Sequence, residues 1–228
     1  MRRLVVLEEV GSTNTWLKDK ADFHRPFCGV RALRQTAGRG RLERQWHSGK
    51  GDENLTCSFI LPVTAGAAPA APLVAGLALH RVVSRIVGVR VKWPNDLLFE
   101  GKKLAGILCE SIPGADNLLI AGIGLNINGR EFPAAISPKT TSLALATGKT
   151  FPVQKIWLSL YRELVRAFRS FSYPLSAEFI AAYNAVAYRY VTRPEISDAP
   201  LELKSLLPDG RAIFEREAGR EIILDMAE

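Results

Sequence analysis

The chain has 228 residues, of which 47% are hydrophobic and 23% are charged, and its formal net charge is +7 at pH 7. Such a composition is typical of a soluble globular protein with one good-sized domain, or one domain with a small appendage. The basic charge balance favours anionic partners, which include nucleotides, nucleic acid, anionic lipid and acidic proteins.

Three features argue against other protein classes. The three cysteines are odd in number and far apart, so a disulfide framework or a structural zinc site is not expected. The N-terminus has only a short apolar run followed by acidic residues, which does not fit a signal peptide. The most apolar segment, residues 65–79, falls short of the roughly 20 residues that a membrane-spanning helix needs. These features fit a cytoplasmic, reducing location.

The N-terminal part is predicted to form a strand over residues 4–7 and a helix over residues 15–21. Between them stands Ser-Thr-Asn at residues 12–14. Ser12 or Thr13 can cap the helix, and capping alone explains the trio in isolation. The same hydroxyl and amide groups could also bind a polar ligand at the start of the helix.

The most distinctive stretch is the Gly/Arg loop, which we define as residues 35–46 and which follows a strand predicted over residues 28–33. Glycines let the backbone approach a ligand closely, arginines hold phosphate or carboxylate groups in bidentate fashion, and tryptophan offers a face for stacking. The residues concerned are Gly38, Gly40, Arg39, Arg41, Arg44 and Trp46. A solvated cationic loop or an RNA-binding Gly/Arg segment is the plainer interpretation of this stretch alone.

The middle of the chain is predicted to contain two strands, a helix and a hairpin. The strands cover residues 55–61 and 89–93, and the helix covers residues 72–87 and ends at Gly88. The hairpin pairs residues 97–99 with residues 102–110. Lys92 and Lys103 lie near strand ends where a ligand could bind, although a lone lysine is usually a solvated surface residue.

A strand predicted over residues 118–127 carries Gly122, Gly124 and Asn126 on one face. Glycine inside a strand marks the close approach of a ligand or of another backbone. Two amphipathic helices follow, and then several short strand candidates that look like a small β appendage after Tyr188. The helices cover 153–168 and 177–187, and the strand candidates cover 192–194, 201–206, 212–217 and 221–224.

Five short motifs occur in one order along the chain, and together they are specific although each alone is weak. They are Ser-Thr-Asn at 12–14, Gly-Arg-Gly-Arg-x-x-Arg-x-Trp at 38–46, Lys-Trp-Pro-Asn-Asp at 92–96, Lys-Leu-Ala-Gly-Ile-Leu at 103–108 and Gly-x-Gly-x-Asn at 122–126. On these motifs the chain closely resembles the biotin protein ligases. The resemblance covers residues 1–187 and continues weakly to the C-terminus.

The resemblance implies an α+β fold in two parts. Residues 1–187 would form a catalytic domain, a mixed sheet with flanking helices related to class II aminoacyl-tRNA synthetases. Residues 188–228 would form a small SH3-like β-barrel, shorter than usual and therefore open to being incomplete. No DNA-binding domain precedes the strand at residues 4–7, so a ligase without repressor function is expected. Glu43 departs from the family pattern by adding an acid to the Gly/Arg loop.

The resemblance also implies a two-step reaction that uses ATP, Mg²⁺ and biotin. The biotin carboxylate attacks the α-phosphate of Mg·ATP to give biotinyl-5′-AMP, and a lysine of a biotin carboxyl carrier protein, such as that of acetyl-CoA carboxylase, then takes the biotinyl group. Fixed cations are needed because two anions meet and charge develops at phosphorus. Neither DNA nor a membrane is expected as a partner, and the oligomeric state, a homodimer included, is left open.

The resemblance assigns roles to residues at the matching motif positions. The catalytic residues would be Arg39, Lys92 and Lys103. The biotin-binding residues would be Ser12, Thr13, Asn14, Gln35, Gly38, Arg39, Gly40, Arg41, Lys103, Gly106, Gly122 and Gly124. The ATP-binding residues would be Arg39, Arg41, Arg44, Trp46, Lys92, Asn95, Lys103, Asn126 and Arg193. No metal ligand is assigned.

Two other functions compete with this interpretation. A lipoate ligase or octanoyltransferase shares the fold, and an acyltransferase of that kind would use a cysteine near a lysine, as Cys109 near Lys103 could provide. A nucleophilic cysteine needs an activating group and exposure, which a strand position between Leu108 and Glu110 does not favour. An RNA-binding module would need repeated Gly/Arg units or an aromatic-studded sheet, and the sequence has neither.

Overall fold

The computed structural model describes residues 3–42, 44–49, 51–192, 196–216 and 219–225, which form a large mixed sheet with flanking helices and a small antiparallel sheet. The strands are β1 (Leu4–Val10), β2 (Gly29–Gln35), β3 (Asn54–Pro62), β4 (Arg90–Lys92), β5 (Asp96–Phe99), β6 (Lys102–Ser111), β7 (Leu118–Asn126), β8 (Tyr190–Val191), β9 (Leu201–Leu206), β10 (Ala212–Glu215) and β11 (Glu221–Leu224). The α-helices are α1 (Thr13–Lys18), α2 (Ala71–Val83), α3 (Leu143–Thr147), α4 (Val153–Arg169) and α5 (Ala177–Val186).

The large sheet has the strand order β1-β2-β3-β7-β6-β5-β4. β1 and β2 run parallel, with α1 in the connection between them, and the other described neighbours run antiparallel. β3 and β7 pair in the centre from Asn54↔Asn126 to Pro62↔Leu118. β3 alternates over residues 54–59: Leu55, Cys57 and Phe59 enter the main core, whereas Asn54, Thr56 and Ser58 lie on the other face.

One face of the large sheet carries the main hydrophobic core under α2 and α4. α4 buries a stripe that includes Ile156, Trp157, Leu160 and Leu164, at the three- and four-residue spacing of an amphipathic helix. This confirms the helix predicted over residues 153–168. The opposite face holds a smaller apolar cluster under α1, and the remainder of that face is left for the candidate site.

The small sheet has the strand order β11-β10-β9-β8 and packs directly against the large one. The Trp93 and Phe214 rings lie 5.6 Å apart edge to face, and Trp93 Nε1 donates a hydrogen bond to Gly210 O at 3.2 Å. The apolar core therefore runs across residue 187 without a break. A division of the chain at that residue, and closure of the small strands into a barrel, stay predictions.

The structure differs from the predicted elements in several places. The helix predicted over residues 15–21 is α1 at Thr13–Lys18, and its N-cap residue Ser12 makes no capping hydrogen bond with its side chain. α2 ends at Val83 in place of residue 87, and Gly88 does not take the left-handed conformation of a helix-ending glycine. The short helix α3 was not predicted, although Ser142 caps it by accepting a hydrogen bond from the Leu145 N–H. The strand predicted at residues 192–194 falls partly outside the described residues, and β8 ends just before it.

None of the helices in the part of the chain that the structure describes combines the length and hydropathy that a transmembrane span requires.

Candidate active site

A cavity of about 870 Å³ lies on the sheet face opposite α2 and α4, and residues of all five motifs line it. The predicted site residues that line the cavity are Ser12, Thr13, Asn14, Gln35, Arg39, Gly40, Arg41, Arg44, Trp46, Lys92, Asn95, Lys103, Gly106, Gly122, Gly124 and Asn126. Positions far apart in the sequence are thus brought to one place by the sheet.

The strand register explains how the sheet builds the floor of this cavity. Gly122 on β7 lies opposite Ser58 on β3, and Gly124 lies opposite Gly106 on β6. Because side chains alternate between the two faces of a strand, Gly122, Gly124 and Asn126 share the cavity face while their neighbours enter the main core. The predicted common face of these three residues is confirmed.

The space above the glycines is not empty, which differs from the expectation that they leave room for a ligand. A Cβ atom added at Gly122 would lie 2.3 Å from Asn14 Oδ1, and one added at Gly124 would lie 2.2 Å from Trp46 Cε2. The glycines do permit a close approach, but the approaching groups in this structure are protein side chains. Trp46 Nε1 is buried there without a hydrogen-bond partner among the described residues.

The polar part of the floor is a chain of hydrogen bonds. The Thr13 backbone N–H and hydroxyl lie 2.8 and 2.9 Å from Gln35 Oε1, and Gln35 Nε2 donates to Ser48 Oγ at 3.1 Å. Ser58 Oγ lies 2.7 Å from Thr13 Oγ1 and 2.6 Å from Asn14 Oδ1. Ser58 and Ser48 were not among the predicted site residues, since neither belongs to a recognisable motif.

Glu110 closes this chain at its other end and was also missed from the sequence. Its Oε2 accepts a hydrogen bond from Asn14 Nδ2 at 2.6 Å, and its Oε1 lies 3.0 Å from Lys18 Nζ. Burial alone would raise the pKa of Glu110, but the hydrogen bonds from Asn14 and Lys18, with the charges of Lys18 and Arg39, outweigh burial and lower it. Glu110 is therefore ionised near neutral pH.

The lysine and arginine side chains surround the cavity. Lys103 Nζ lies 2.7 Å from Asp96 Oδ1 in an ion contact that lacks the direction of a good hydrogen bond, and 5.8 Å from the centre of the Trp46 ring. Arg39 donates to Thr15 Oγ1 at 3.1 Å and lies 3.8 Å from Glu110 Oε1. Lys92 on β4 lies opposite Asp96 on β5 in the strand register, and it lines the same cavity.

The Gly/Arg loop folds back on itself. Gly40 N donates to Arg44 O at 2.7 Å, Trp46 N donates to Gly38 O at 2.9 Å, and Arg39 forms a backbone bridge with Gln45. Leu42 at the turn has a φ of 54° and is 68% exposed. The loop thus has local backbone order, and its arginines project from a small hairpin at the rim of the cavity.

The two asparagines predicted to face the nucleotide line the cavity but also hold the fold together. Asn95 Nδ2 donates to Ile107 O at 2.8 Å, and Asn126 Nδ2 donates to Thr141 O at 3.0 Å. A further wall of the cavity was missed altogether. It comes from the segment after β7, which has no strong periodicity: Phe132, Ala135, Ile136, Lys139 and Thr140.

Three predicted residues have other outcomes. Gly38 does not line the cavity: a Cβ there would lie 2.8 Å from Trp46 O and 3.0 Å from Gln35 Nε2, so this glycine permits close packing inside the loop. Arg193 and Glu43 lie outside the described residues.

Cys109 does not have the surroundings of a nucleophile. It packs against the main core, on the face of β6 opposite Gly106 and Glu110. Burial, together with the charge of Glu110, raises the pKa of its thiol to about 12. Because a thiolate is the reactive form, this cysteine gives no support to acyl transfer through a protein thioester.

The described residues contain no group of three or more His, Cys, Asp or Glu side chains placed to hold a metal ion. Asp96 is the sole carboxylate among the described residues that line the cavity. This donor set suits a magnesium ion that keeps most of its ligands from phosphate oxygens and water, and it does not suit a metal held by the protein alone.

Comparison with known proteins places the chain among ligases. A family model described as the biotin/lipoate A/B protein ligase family matches residues 6–128. The bifunctional ligase/repressor BirA of Bacillus spizizenii is 34% identical over 157 residues, which are 65% of this chain and 48% of that protein. The biotin--[acetyl-CoA-carboxylase] ligase of Mycobacterium tuberculosis is 36% identical over 173 residues, which are 72% of this chain and 63% of that protein. The chain thus spans about half to two thirds of the length of these curated relatives.

Solved structures extend the similarity over the whole fold. The biotin protein ligase from Aquifex aeolicus in complex with biotin and ATP superposes with a TM-score of 0.83 at 29% identity, and the match covers 99% of this chain and 97% of that one. The large mixed sheet and the small antiparallel sheet are therefore both shared. With more than half of its residues matched by the family model, the chain belongs to the biotin/lipoate A/B protein ligase family.

Proposed function

We propose that this protein is a biotin protein ligase, which activates biotin with ATP and transfers it to a lysine of a biotin carboxyl carrier protein. The observation that carries the proposal is the convergence of all five motifs on one cavity with a polar floor and a cationic rim. The similarity to the Aquifex aeolicus biotin protein ligase over nearly the whole chain supports it.

The first step would join two anions. A carboxylate oxygen of biotin attacks the α-phosphorus of ATP, the bond from that phosphorus to the β-phosphate oxygen breaks, and biotinyl-5′-AMP and pyrophosphate result. Repulsion between the anions and the charge that develops at phosphorus require fixed cations. Lys103, Lys92, Arg39 and Arg41 line the cavity and would supply them. Magnesium would enter with ATP. Asp96, the carboxylate among the described residues that line the cavity, would be available to bind the ion or one of its water ligands.

The ion pair between Lys103 and Asp96 supports a central role for this lysine. A contact of 2.7 Å holds the ammonium group over the floor of the cavity, next to Trp46 and Gly106. An incoming carboxylate or phosphate would compete with Asp96 for the same charge. Lys103 would then bridge the biotin carboxylate and the α-phosphate as they react.

The second step would need no protein nucleophile. The uncharged ε-amine of the carrier lysine attacks the carbonyl carbon of the mixed anhydride, AMP leaves, and an amide forms. The chain must only hold the adenylate and shield it from water until the carrier arrives. Arg39 and Arg44 at the rim of the cavity are placed to retain the phosphate meanwhile.

The two ends of the adenylate would occupy different parts of the cavity. The chain of polar groups from Ser12 and Thr13 to Gln35 suits the ureido ring of biotin, which has both N–H donors and a carbonyl acceptor. Trp46, Asn95 and Asn126 would face the nucleotide, with Trp46 stacking on it after leaving the space above Gly124. Arg193 keeps its predicted role toward the nucleotide. A requirement for ATP fits a cytoplasmic location.

Lipoate or octanoate transfer remains the competing function, because the name of the matching family covers both biotin and lipoate ligases. The Gly/Arg loop and the polar floor favour biotin. The test is an incubation of the chain with ATP, Mg²⁺, a biotin carboxyl carrier domain and either biotin or lipoate, followed by mass spectrometry of the carrier. We expect a biotinyl adduct that requires ATP and is absent when the acceptor lysine is replaced by arginine. A lipoyl adduct formed in preference would overturn the proposal.

A further inference from the structure

Glu110 lies just behind the cavity floor, in contact with the lining residue Asn14, and the reaction described above does not use it. It lies near the end of β6, on the same face as Gly106 and Leu108, and its side chain is 21% exposed. Its carboxylate accepts from Asn14 Nδ2 at 2.6 Å and contacts Lys18 Nζ at 3.0 Å. Asn14 in turn fills the space above Gly122. The carboxylate is thus one residue removed from the space where a ligand would lie.

The importance of this contact lies in the symmetry of the asparagine side chain. The oxygen and the NH₂ group of an amide are similar in size, so Asn14 could fit its site in two orientations that differ by a half turn. An ionised carboxylate only accepts hydrogen bonds, and so does the Leu108 carbonyl oxygen, which Asn14 Nδ2 also contacts at 3.3 Å. Both neighbours therefore require the NH₂ group, and Oδ1 is directed to Ser58.

The orientation of Asn14 determines the next bonds in the floor. Ser58 Oγ contacts both Asn14 Oδ1 and Thr13 Oγ1 but has a single proton to donate. An amide oxygen only accepts, so that proton goes to Asn14. Thr13 Oγ1 also lies 2.9 Å from Gln35 Oε1, another oxygen that only accepts, so the single hydroxyl proton of Thr13 serves either Gln35 or Ser58. With Asn14 turned over, Ser58 would accept from Asn14 and donate to Thr13. The hydroxyl proton of Thr13 would then be committed to Gln35, so the orientation of Asn14 changes which hydroxyl groups of the floor can donate to a ligand.

We infer that Glu110 is a positioning residue that sets the donor and acceptor pattern of the cavity floor through Asn14. The inference rests on the proposed function, because the group that forms hydrogen bonds to the cavity floor is taken to be the ureido ring of biotin. The ureido ring has N–H donors on two sides and a carbonyl acceptor between them. It therefore binds the floor more tightly with Asn14 in one orientation than in the other. Glu110 itself touches neither substrate nor the reacting atoms.

The experiment compares two substitutions at Glu110 with a matched control. Glu110→Leu removes the acceptor and the charge, whereas Glu110→Gln keeps an oxygen that can accept from Asn14. Lys18→Met breaks the ion pair of Glu110 but leaves its bond to Asn14. We expect calorimetry with biotin to give a dissociation constant raised about tenfold or more for Glu110→Leu, and changed less than about threefold for Glu110→Gln and Lys18→Met.

Two further readouts separate orientation from general damage to the fold. The Michaelis constant for ATP should change less than the dissociation constant of biotin in Glu110→Leu, because Glu110 reaches the nucleotide end of the cavity only through its longer contact with Arg39, at 3.8 Å. In an Asn14→Ala background, Glu110→Leu should change biotin binding less than about twofold, since the group that it orients is gone. Equal losses in the two backgrounds, or a loss in Lys18→Met as large as in Glu110→Leu, would overturn the inference.

A measurement without ligand keeps this inference separate from the proposed function. The side-chain amide protons of Asn14, identified by their loss in Asn14→Ala, should show slow exchange and a downfield nuclear magnetic resonance shift in the parent. Both properties should be lost in Glu110→Leu and retained in Glu110→Gln. An Asn14 signal that Glu110→Leu leaves unchanged would overturn the inference even where biotin binds. A parent that binds biotin but modifies no carrier would instead contradict the proposed function alone.

Discussion

The side chain of Lys103 is a cation that Asp96 and Trp46 hold in one position in the cavity. Its ammonium group lies 2.7 Å from Asp96 Oδ1 and 5.8 Å from the centre of the Trp46 ring, so it is held before any substrate arrives. A cation fixed in advance stabilises developing charge without a reorganisation at the moment of reaction. We therefore propose that Lys103 stabilises the transition state of adenylate formation more than it stabilises bound biotin.

Lys103→Gln should therefore slow adenylate formation far more than it weakens biotin binding. We expect pyrophosphate exchange to slow by about 10²-fold, with the dissociation constant of biotin changed much less, since the interaction strengthens as charge develops. Lys102→Gln is the matched control, because Lys102 is the adjacent exposed lysine and does not line the cavity. Exchange at the parent rate in Lys103→Gln would rule out this role.

Arg39→Ala should spare the fold and loosen the hold on the adenylate. Arg39 is 43% exposed on a loop, and its described contacts with Thr15 and Glu110 are peripheral to the core. Loss of a charge-assisted hydrogen bond to phosphate is worth roughly 1.5–3 kcal/mol. Released adenylate acylates exposed lysines, so the measurement is ATP-dependent biotinylation of a bystander protein such as serum albumin.

The control for Arg39→Ala is Arg34→Ala. Arg34 is also an exposed arginine with one carboxylate partner, Glu9, but it does not line the cavity. It should leave bystander labelling unchanged. Should Arg39→Ala retain the adenylate as firmly as the parent, Arg39 would have no part in holding the phosphate.

Among the elements, β7 forms the floor of the cavity. Its two glycines, Gly122 and Gly124, have no side chains and so let Asn14 and Trp46 pack directly above the strand. Gly124→Ala would place a methyl group 2.2 Å from Trp46 Cε2, which no rotamer change at the alanine can relieve. We expect Trp46 to be expelled and the free energy of unfolding to fall by about 1–3 kcal/mol, as for other overpacked sites. Thermal unfolding and acrylamide quenching of tryptophan fluorescence measure the two effects.

Two comparisons make this expectation specific. Gly88→Ala adds a methyl group that meets nothing within 4 Å at a residue without positive φ, so it should change stability by less than about 1 kcal/mol. In a Trp46→Ala background, Gly124→Ala should lose most of its effect, since the colliding ring is absent. A full effect in that background would show that Trp46 does not occupy the space above Gly124.

Sequence patterns predicted those parts of the site that are carried by local motifs. The apolar runs of β3 and β7 gave their bounds to within a residue, and the two glycines of β7 were correctly placed on one face. Ser58 and Glu110 were missed because their place at the site depends on the register of β3 and β6 against β7. Register is fixed by long-range packing and turn geometry, which a single motif does not contain.

Other differences have equally physical causes. The apolar pattern of α2 continues past Val83, but residues 84–87 leave the helix in turns whose N–H groups reach His80 and Val83. The cavity wall from Phe132 to Thr140 lies in an irregular segment, where no periodicity reports on burial. The space above Gly122 and Gly124 was expected to be open, because a sequence shows which side chains are missing but not which distant ones fill the gap.

At the scale of the whole molecule, the small sheet supports the site through the core. Trp93 stands between Lys92 and cis-Pro94, both of which line the cavity, and its ring packs on Phe214 of β10. Phe214 is fully buried. Phe214→Ala should lower the free energy of unfolding by about 3–5 kcal/mol and still give a single cooperative transition, because one core serves both sheets.

The matched control for Phe214→Ala is Ile223→Ala on the neighbouring strand β11. Ile223 is 52% exposed, so its truncation should cost less than about 1 kcal/mol. Denaturant unfolding followed by circular dichroism measures both variants. Two separate transitions would show that the small sheet folds as a unit of its own.

We propose that the Gly/Arg loop and the segment that follows it cover the cavity during both steps of the reaction. Three arginines within six residues repel one another, and apart from Leu42 and Trp46 the loop has little apolar surface. Backbone hydrogen bonds hold the turn of the loop, and its apolar anchor on the cavity floor is the Trp46 ring above Gly124, where the indole N–H has no described partner. Leaving a buried donor unsatisfied is unfavourable, so this anchor is weak.

Residues 38–54 should therefore gain protection from amide exchange when ligand binds. Bound carboxylate and phosphate neutralise the arginines and give Trp46 a surface to stack on, so binding orders the segment with favourable enthalpy and unfavourable entropy. Whichever of biotin and ATP binds first bears the ordering cost, which makes their binding cooperative.

The measurement is hydrogen exchange by mass spectrometry without ligand, with biotin, and with biotin and ATP. Peptides from β11 serve as the internal control, since β11 is the strand of the small sheet at the edge opposite β8, whose end lines the cavity. Equal protection of residues 38–54 in all three states would mean a preformed loop, and the cover would then play no part in retaining the adenylate.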